Sequence, residues 1–228
     1  MAKKIVKKNK IKIIPVLIFI LILFLLCLIV KIVLDIKIAN IYIYGTKNIN
    51  DEYIIDYLDL KDYPSFVKNF RWDLEKKLTN SPYIKSVKVD KKFFAVLEIT
   101  VEENDLLFYN QHDKKYVFRD LSETDEIIYD VEPIKLINYV PDTEYPLFKK
   151  MFARISNEVI EKISEIKYDP NEFDTGRFLI YMVDGNYVYI TSTKLESLNY
   201  YNEIYPTLEG KKGTLYLDSG NHFTEFGK

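Results

Sequence analysis

Residues 70–101 read FRWDLEKKLTNSPYIKSVKVDKKFFAVLEITV, and this stretch decides the fold. Phe70, Leu74 and Leu78 recur every fourth residue, the spacing that lines one side of a helix, and Pro82 punctuates its end near Thr79. Ile84, Val87 and Val89 then mark a strand. Residues 96–101 form another, with Leu97, Ile99 and Val101 alternating. Moving toward the N-terminus, Asn50 followed by Asp51 and Glu52 reads as a helix start, with Ile54, Ile55 and Leu58 as its apolar face. Before it, residues 36–44 (IKIANIYIY) form a strand pattern stopped by Gly45. The order is strand, helix, helix, strand, strand in about 65 residues. A three-stranded sheet with two helices on one face would bury both helix stripes.

Further toward the N-terminus, residues 13–34 (IIPVLIFILILFLLCLIVKIVL) carry one charge, Lys31. A 22-residue helix rises roughly 33 Å at about 1.5 Å per residue, enough for a ~30 Å hydrocarbon core. Pro15 sits in the first turn, where a missing N–H costs least, and Lys31 is near enough to the far end to snorkel. Lys3, Lys4, Lys7, Lys8, Lys10 and Lys12 precede the span without a single acid, so the positive-inside rule places residues 1–12 in the cytoplasm. The apolar run exceeds a ~7–15-residue signal-peptide core, and no small-x-small cleavage site follows it. Leu25 and Leu26 before Cys27 do not make a lipid-attachment site, so Cys27 is an apolar residue of the span.

On the other side the pattern shifts to short strands near residues 106–109, 115–119 and 134–139. A helix is expected from about Tyr145 to Lys162, with Leu147, Phe148, Met151, Phe152, Ile155, Val159 and Ile163 on one side. Strands follow near 164–168, 177–183 and 187–191, the last two joined by the hairpin signal Asp184-Gly185-Asn186. A last helix is expected after Thr193 as N-cap, with Leu195, Leu198, Ile204 and Leu208 on its apolar side. The final strand is expected at residues 213–218, and 219–228 are read as a short tail.

Beyond the span lie all 34 acidic residues and 25 of the 32 basic ones, a net charge of −9. That disfavours nucleic acid or an anionic lipid surface as the main partner. This part holds no cysteine, and its only histidines, His112 and His222, lack ligand-spaced partners, so no metal or cofactor is expected. Ser65-Phe-Val-Lys68, Ser219-Gly-Asn221 and Lys212-Gly-Thr214 echo penicillin-binding enzyme motifs. Their order along the chain is wrong, the third is scrambled, and Ser65 follows Pro64 in a loop rather than opening a core helix.

Ile41-x-Ile43-x-Gly45, Leu74-x3-Leu78-x3-Pro82-x-Ile84-x2-Val87-x-Val89 and Leu97-x-Ile99-x-Val101-Glu102 resemble the POTRA domain of the FtsQ/DivIB family of bacterial division proteins. Ser164-Glu165-Ile166, Asp184-Gly185-Asn186, Lys194-Leu195 and Lys211-Lys212-Gly213 leading to Gly220 and Phe223 resemble its β domain. The likeness covers nearly the whole chain and is nearest the Gram-positive DivIB branch. Two local departures stand out: Asp90-Lys-Lys-Phe93 replaces the usual Arg-x-x-Pro turn, and Glu103-Asn104-Asp105 replaces the usual basic residue and proline.

The resemblance implies an α+β chain: a cytoplasmic basic tail (1–12), a transmembrane helix (13–34), a POTRA domain (35–104), a β domain with a mixed sheet and flanking helices (105–218), and a short tail (219–228). It also implies a non-enzymatic scaffold of the division septum that uses no cofactor, small-molecule substrate or nucleic acid. Its partners would be single-span proteins of the DivIC/FtsB and FtsL types, and septal wall synthases indirectly. In the family the β domain's last strand is an edge to which the FtsB-type partner adds a strand. This points to Thr214, Leu215, Tyr216, Leu217, Asp218, Ser219 and Gly220 as the partner-binding edge and flank, with the leucines facing the core and Tyr216 on the opposite face. The alternatives are a POTRA-containing transport or envelope-assembly protein, and a cell-wall enzyme.

The topology makes a direct prediction. With Cys27 replaced by serine, a cysteine placed at Ser219 reacts with an impermeant maleimide on whole cells, and one placed at Lys8 does not; the reversed pattern overturns the orientation.

Overall fold

The computed structural model describes residues 13–227; the basic segment 1–12 lies outside the described residues. Helix α1 (Ile13–Leu34) stands apart, with no buried residue. Among the described residues it is the one helix long and apolar enough to cross a membrane.

The first sheet follows the order set by the hydrophobic pattern. Strand β1 (Asn40–Tyr44) is succeeded by helices α2 (Asp51–Tyr57) and α3 (Arg71–Thr79), then by strands β2 (Ile84–Lys92) and β3 (Val96–Glu103). Strand β3 lies in the middle, parallel to β1 and antiparallel to β2. Leu97, Ile99 and Val101 point with Val89 into a core completed by Ile54, Leu58, Leu74 and Leu78. Asn50 caps α2 as expected: its side-chain oxygen accepts the Glu52 amide at 2.9 Å. The strand expected at 36–44 is regular only from Asn40. Upstream the chain pairs instead with the 64–66 loop, through Ile38 N to Pro64 O (3.0 Å) and Phe66 N to Ile36 O (2.7 Å).

Gly45 ends β1 at φ +89°, and a Cβ there would lie 2.1 Å from the Val101 carbonyl oxygen, so only glycine fits. The loop that follows is gathered by one carboxylate. Glu103 accepts the amides of Lys47 (2.6 Å), Asn48 (3.0 Å) and Ile49 (3.0 Å). A carboxylate in this nest of N–H groups does locally what a turn sequence would otherwise have to do.

The second sheet is mixed and nine-stranded. Its strands are β4 (Leu106–Asn110), β5 (Lys115–Phe118), β6 (Glu123–Thr124), β7 (Lys135–Leu136), β8 (Ile163–Tyr168), β9 (Arg177–Met182), β10 (Tyr187–Thr191), β11 (Gly213–Tyr216) and β12 (His222–Glu225), in the spatial order β12-β11-β10-β9-β8-β7-β4-β5-β6. Helices α4 (Tyr145–Phe152) and α5 (Asn157–Ile160), a 3-10 helix (Ser192–Tyr200) and α6 (Tyr201–Thr207) supply Phe148, Phe152, Val159, Leu195, Leu198 and Tyr201 to its core. The hairpin at Asp184-Gly185-Asn186 forms where expected, joining β9 to β10 with Gly185 at φ +88°.

Four expectations are corrected. The helix anticipated over 145–162 is broken between α4 and α5, because Arg119 takes the carbonyls of Ala153 (2.5 Å) and Ile155 (2.9 Å) while the Asn199 side chain takes the Ser156 amide (2.8 Å). The helix anticipated after Thr193 begins at Ser192 as a 3-10 helix. Its buried residues Ser192, Leu195, Leu198 and then Tyr201 recur every third position, which matches three residues per turn and not 3.6. The strand expected at 134–139 shrinks to Lys135–Leu136, and the Asn138 side chain continues the ladder by bonding both Tyr168 N and Tyr168 O at 2.8 Å. Residues 219–228, read as a tail beyond a final strand at 213–218, contain β12.

The two sheets are latched together. Tyr129 reaches from the β6–β7 connection, its hydroxyl donating to Asn104 O (2.8 Å) with Tyr83 O at 3.3 Å, while Tyr83 donates back to Glu126 O (2.8 Å). The rings of Tyr83, Phe118 and Tyr129 pack edge-on or tilted at 5.6–5.9 Å. Burial pushes the Tyr129 phenol far above its ordinary pKa, so it stays a donor. Tyr129→Phe therefore strands the Asn104 carbonyl, while Tyr83 O keeps the Asn104 amide at 2.8 Å, and urea unfolding of the part that follows α1 should show a loss of about 1–2 kcal/mol; an unchanged midpoint would mean that the latch contributes nothing.

Candidate partner-docking edge

The end of the second sheet is built on Gly213. Its backbone comes so close to β12 that a Cβ would sit 2.2 Å from Thr224 O and 2.6 Å from the Phe223 ring. Its amide donates to the Asn186 side-chain oxygen (3.0 Å). Asn186, fully buried, donates in turn to the Tyr201 hydroxyl (3.2 Å), which donates to Asp184 (2.7 Å). Gly213 N, the Asn186 amide and the Tyr201 hydroxyl each have a partner in this series, so the hairpin turn, α6 and the start of β11 are held as one unit.

Strand β11 lies parallel to β10, with Tyr189 opposite Tyr216, and antiparallel to β12, with Tyr216 opposite His222. Period-2 geometry puts Leu215 and Phe223 on the core side and Tyr216 and His222 on the other. On that outer face a stacked ladder crosses four strands. The Arg177 guanidinium lies 3.5 Å from the Tyr189 ring centre, Tyr189 stacks on Tyr216 at 5.5 Å, and Tyr216 stacks on His222 at 4.6 Å. Arg177 also donates to Asp218 (2.7 Å) and Asp169 (3.3 Å). A hydrogen bond from Lys167, ahead of the nearby positive charges, holds the Asp169 carboxyl below its usual pKa. Lys194 adds a bond to Asp218 O at 2.9 Å.

The seven residues expected to form the docking edge are therefore distributed. Thr214, Leu215 and Tyr216 lie in β11; Leu217, Asp218, Ser219 and Gly220 form the turn after it. Leu215 and Leu217 join the core, Thr214 is buried, Tyr216 is half-buried, and Ser219 and Gly220 are exposed. Strand β11 is not the edge: β12 covers it. Phe226 N donates to Lys212 O (2.9 Å), so the hydrogen-bonded pairs run 212/226, 214/224 and 216/222, and the main-chain groups of Phe223 point away from β11. The sheet's other edge, β6, is two residues long. The signal for β12 was present as Gly220 followed by the alternating His222-Phe223-Thr224-Glu225, but four residues with one apolar side chain resemble a tail.

The motifs reminiscent of penicillin-binding enzymes are not assembled. Ser65 lies beside the end of α1, its hydroxyl donating to Leu34 O (2.6 Å), whereas Ser219 and Asn221 sit in the β11–β12 turn. His112 pairs with Asp113 at 2.7 Å and His222 stacks on Tyr216. Among the described residues no group of three His, Cys, Asp or Glu side chains is placed to hold a metal.

Residues 36–104 match the family model of the FtsQ-type POTRA domain. Cell division protein DivIB of Solibacillus silvestris is 31% identical over 208 residues, which cover 84% of this chain and 69% of that protein. Its counterpart from Bacillus subtilis is 26% identical over 204 residues, covering 84% and 75%. The protein of the same name from Clostridium botulinum is 40% identical over a shorter 110 residues. The major extracytoplasmic domain of DivIB from Geobacillus stearothermophilus superposes on 47% of this chain with a TM-score of 0.36 and 19% identity.

The close approach at Gly213 generates a test. Gly213→Ala must push β12 off β11, so the Phe226 amide, bonded to Lys212 O, should exchange with solvent deuterium at least about tenfold faster, while core amides of β9 keep their rates; unaltered exchange at Phe226 would refute the fit.

Proposed function

This chain belongs to the DivIB family of cell division proteins, and we propose that it is a non-enzymatic scaffold of the division septum. It is membrane-anchored. In our reading residues 1–12 are cytoplasmic, and the POTRA domain (35–104) and the β domain that follows stand outside. Its partners are single-span proteins of the DivIC/FtsB and FtsL types, through which it stabilises the division complex and regulates septal wall synthesis.

One observation carries the binding mode: β12 ends the large sheet with the main-chain groups of Phe223 turned outward. An extended partner segment can add there as a further strand, with affinity from the main chain and specificity from side chains. The ladder of Tyr189, Tyr216 and His222 beside it offers a rigid aromatic face for a segment flanking that strand. Asp218, Ser219 and Gly220 form the rim. The β2 edge of the small sheet is a poorer dock: β2 is studded with Lys85, Lys88, Lys91 and Lys92, and its Val89 amide is already taken by the Glu75 carboxylate at 2.9 Å.

The test compares two substitutions that remove the same side chain. Phe223→Ala keeps the outward N–H, and Phe223→Pro deletes it. Titrated with the outer segment of the DivIC-type partner, and with circular dichroism confirming the fold, the proline variant should bind more weakly than the alanine variant by about 1–3 kcal/mol. Equal affinities would remove β12 as the dock. A tyrosine-to-proline change at Tyr216 is not a clean alternative, since that residue's main chain is spent on pairing with His222.

A further inference from the structure

The turn joining β2 to β3 exposes two phenylalanines almost completely, Phe93 at 91% and Phe94 at 92%. Phe94 (φ 61°) and the adjacent Ala95 (φ 58°) both occupy the left-handed region, which side-chain-bearing residues rarely adopt. A strained turn that displays apolar rings to water needs an occupant for them.

The topology says what that occupant is. Strand β3 runs parallel to β1, with Asn40 opposite Val96, so the turn lies at the end of the sheet where the chain arrives from α1. Ala39 N bonds Ala95 O at 2.9 Å, only five residues after the helix ends. The same end touches the helix itself, through Ser65 Oγ to Leu34 O. Lys37, Phe66, Lys91 and Lys92 line an open groove of about 850 Å³ beneath the two rings. Lys91 braces the base by donating to Phe66 O and Asn69 O and lying over the Phe66 ring. No partner is seen for the Lys37 ammonium among the described residues. Nearby, Trp72 stacks on Phe70 at 4.6 Å, and both are exposed. Aromatic rings rimmed by lysines, held within a few residues of a span, are the composition of the membrane–water interface.

We propose that the β2–β3 turn is a membrane anchor: Phe93 and Phe94 enter the headgroup boundary of the phospholipid leaflet from which α1 emerges, with Lys37 beside lipid phosphates and Lys92 held by Glu98 at 3.1 Å. The turn thereby fixes the tilt of the small sheet on the bilayer. This rests on α1 spanning a membrane and not on the division role.

The test uses the full-length chain reconstituted in phosphatidylcholine–phosphatidylglycerol vesicles, in a Trp72→Phe background that leaves no other tryptophan. A Phe94→Trp reporter should shift its emission to the blue and lose intensity when lipids carry a doxyl quencher near the headgroup. A Phe173→Trp reporter, at a site 96% exposed on the large-sheet domain, should keep its intensity. Phe24→Trp, at the middle of α1, is read in parallel vesicles whose doxyl group lies near the end of the acyl chain, and its quenching there reports that the span is inserted. Unquenched emission at position 94 with quenched emission at position 24 overturns the anchor. So does a blue shift at position 94 that arises only on adding the DivIC-type segment, which assigns the turn to a protein. If position 24 is also unquenched, the spanning reading fails and the anchor falls with it.

Discussion

The parallel pairing of β1 with β3 is the constraint on which the rest of this molecule depends. Strand β1 follows the apolar helix after a few residues, so its first residues lie at the helix end of the sheet. Pairing β3 parallel to it puts the β2–β3 turn at the α1 end of the sheet and the exit of β3, at Glu103, at the far end. Glu103 serves that exit twice, clamping the amides of residues 47–49 and leading into Asn104, whose carbonyl receives Tyr129. Parallel strands require a crossover, and the two helices between β1 and β2 provide both this connection and the cover for the sheet's core face. A polarity is thus written into the fold, with one end of the small sheet beside α1 and the other end leading into the second sheet.

In the proposed role the second sheet supplies the binding surface. Its free edge exists because the chain turns back after β11 and lays β12 against it. Gly213, Asn186 and Tyr201 hold the strand beneath in place, and the Arg177–Tyr189–Tyr216–His222 ladder ties the edge to three inner strands. A short edge strand on its own would fray. One stacked across four strands is ordered before a partner arrives, so less entropy is lost on docking.

Much of this was legible in the residues themselves. The span and the small sheet follow from apolar period alone, and Leu74, Leu78, Leu97, Ile99 and Val101 are where that period puts them. What was not legible depends on contacts distant in sequence. Arg119 breaks a helix that the apolar pattern would carry through residues 153–156, and no local feature announces it. The three-residue spacing of Leu195, Leu198 and Tyr201 did announce a 3-10 helix, but beside Ile204 and Leu208 it blends into a helical stripe. Strand β12 has so few residues that only the demand of Gly213 for a close neighbour reveals it. Consequently the edge assigned from the sequence, 213–218, is one strand too far inside. Its flank of Asp218, Ser219 and Gly220 still borders the observed edge.

Hydrogen exchange of the part that follows α1, with and without the DivIC-type segment, bears most directly on the central claim that β12 is the docking edge. Strand addition predicts that the Phe223 amide becomes strongly protected when the segment binds, while the amides already committed to β11 change little. A bound segment that leaves the Phe223 amide exchanging at its free rate would contradict it.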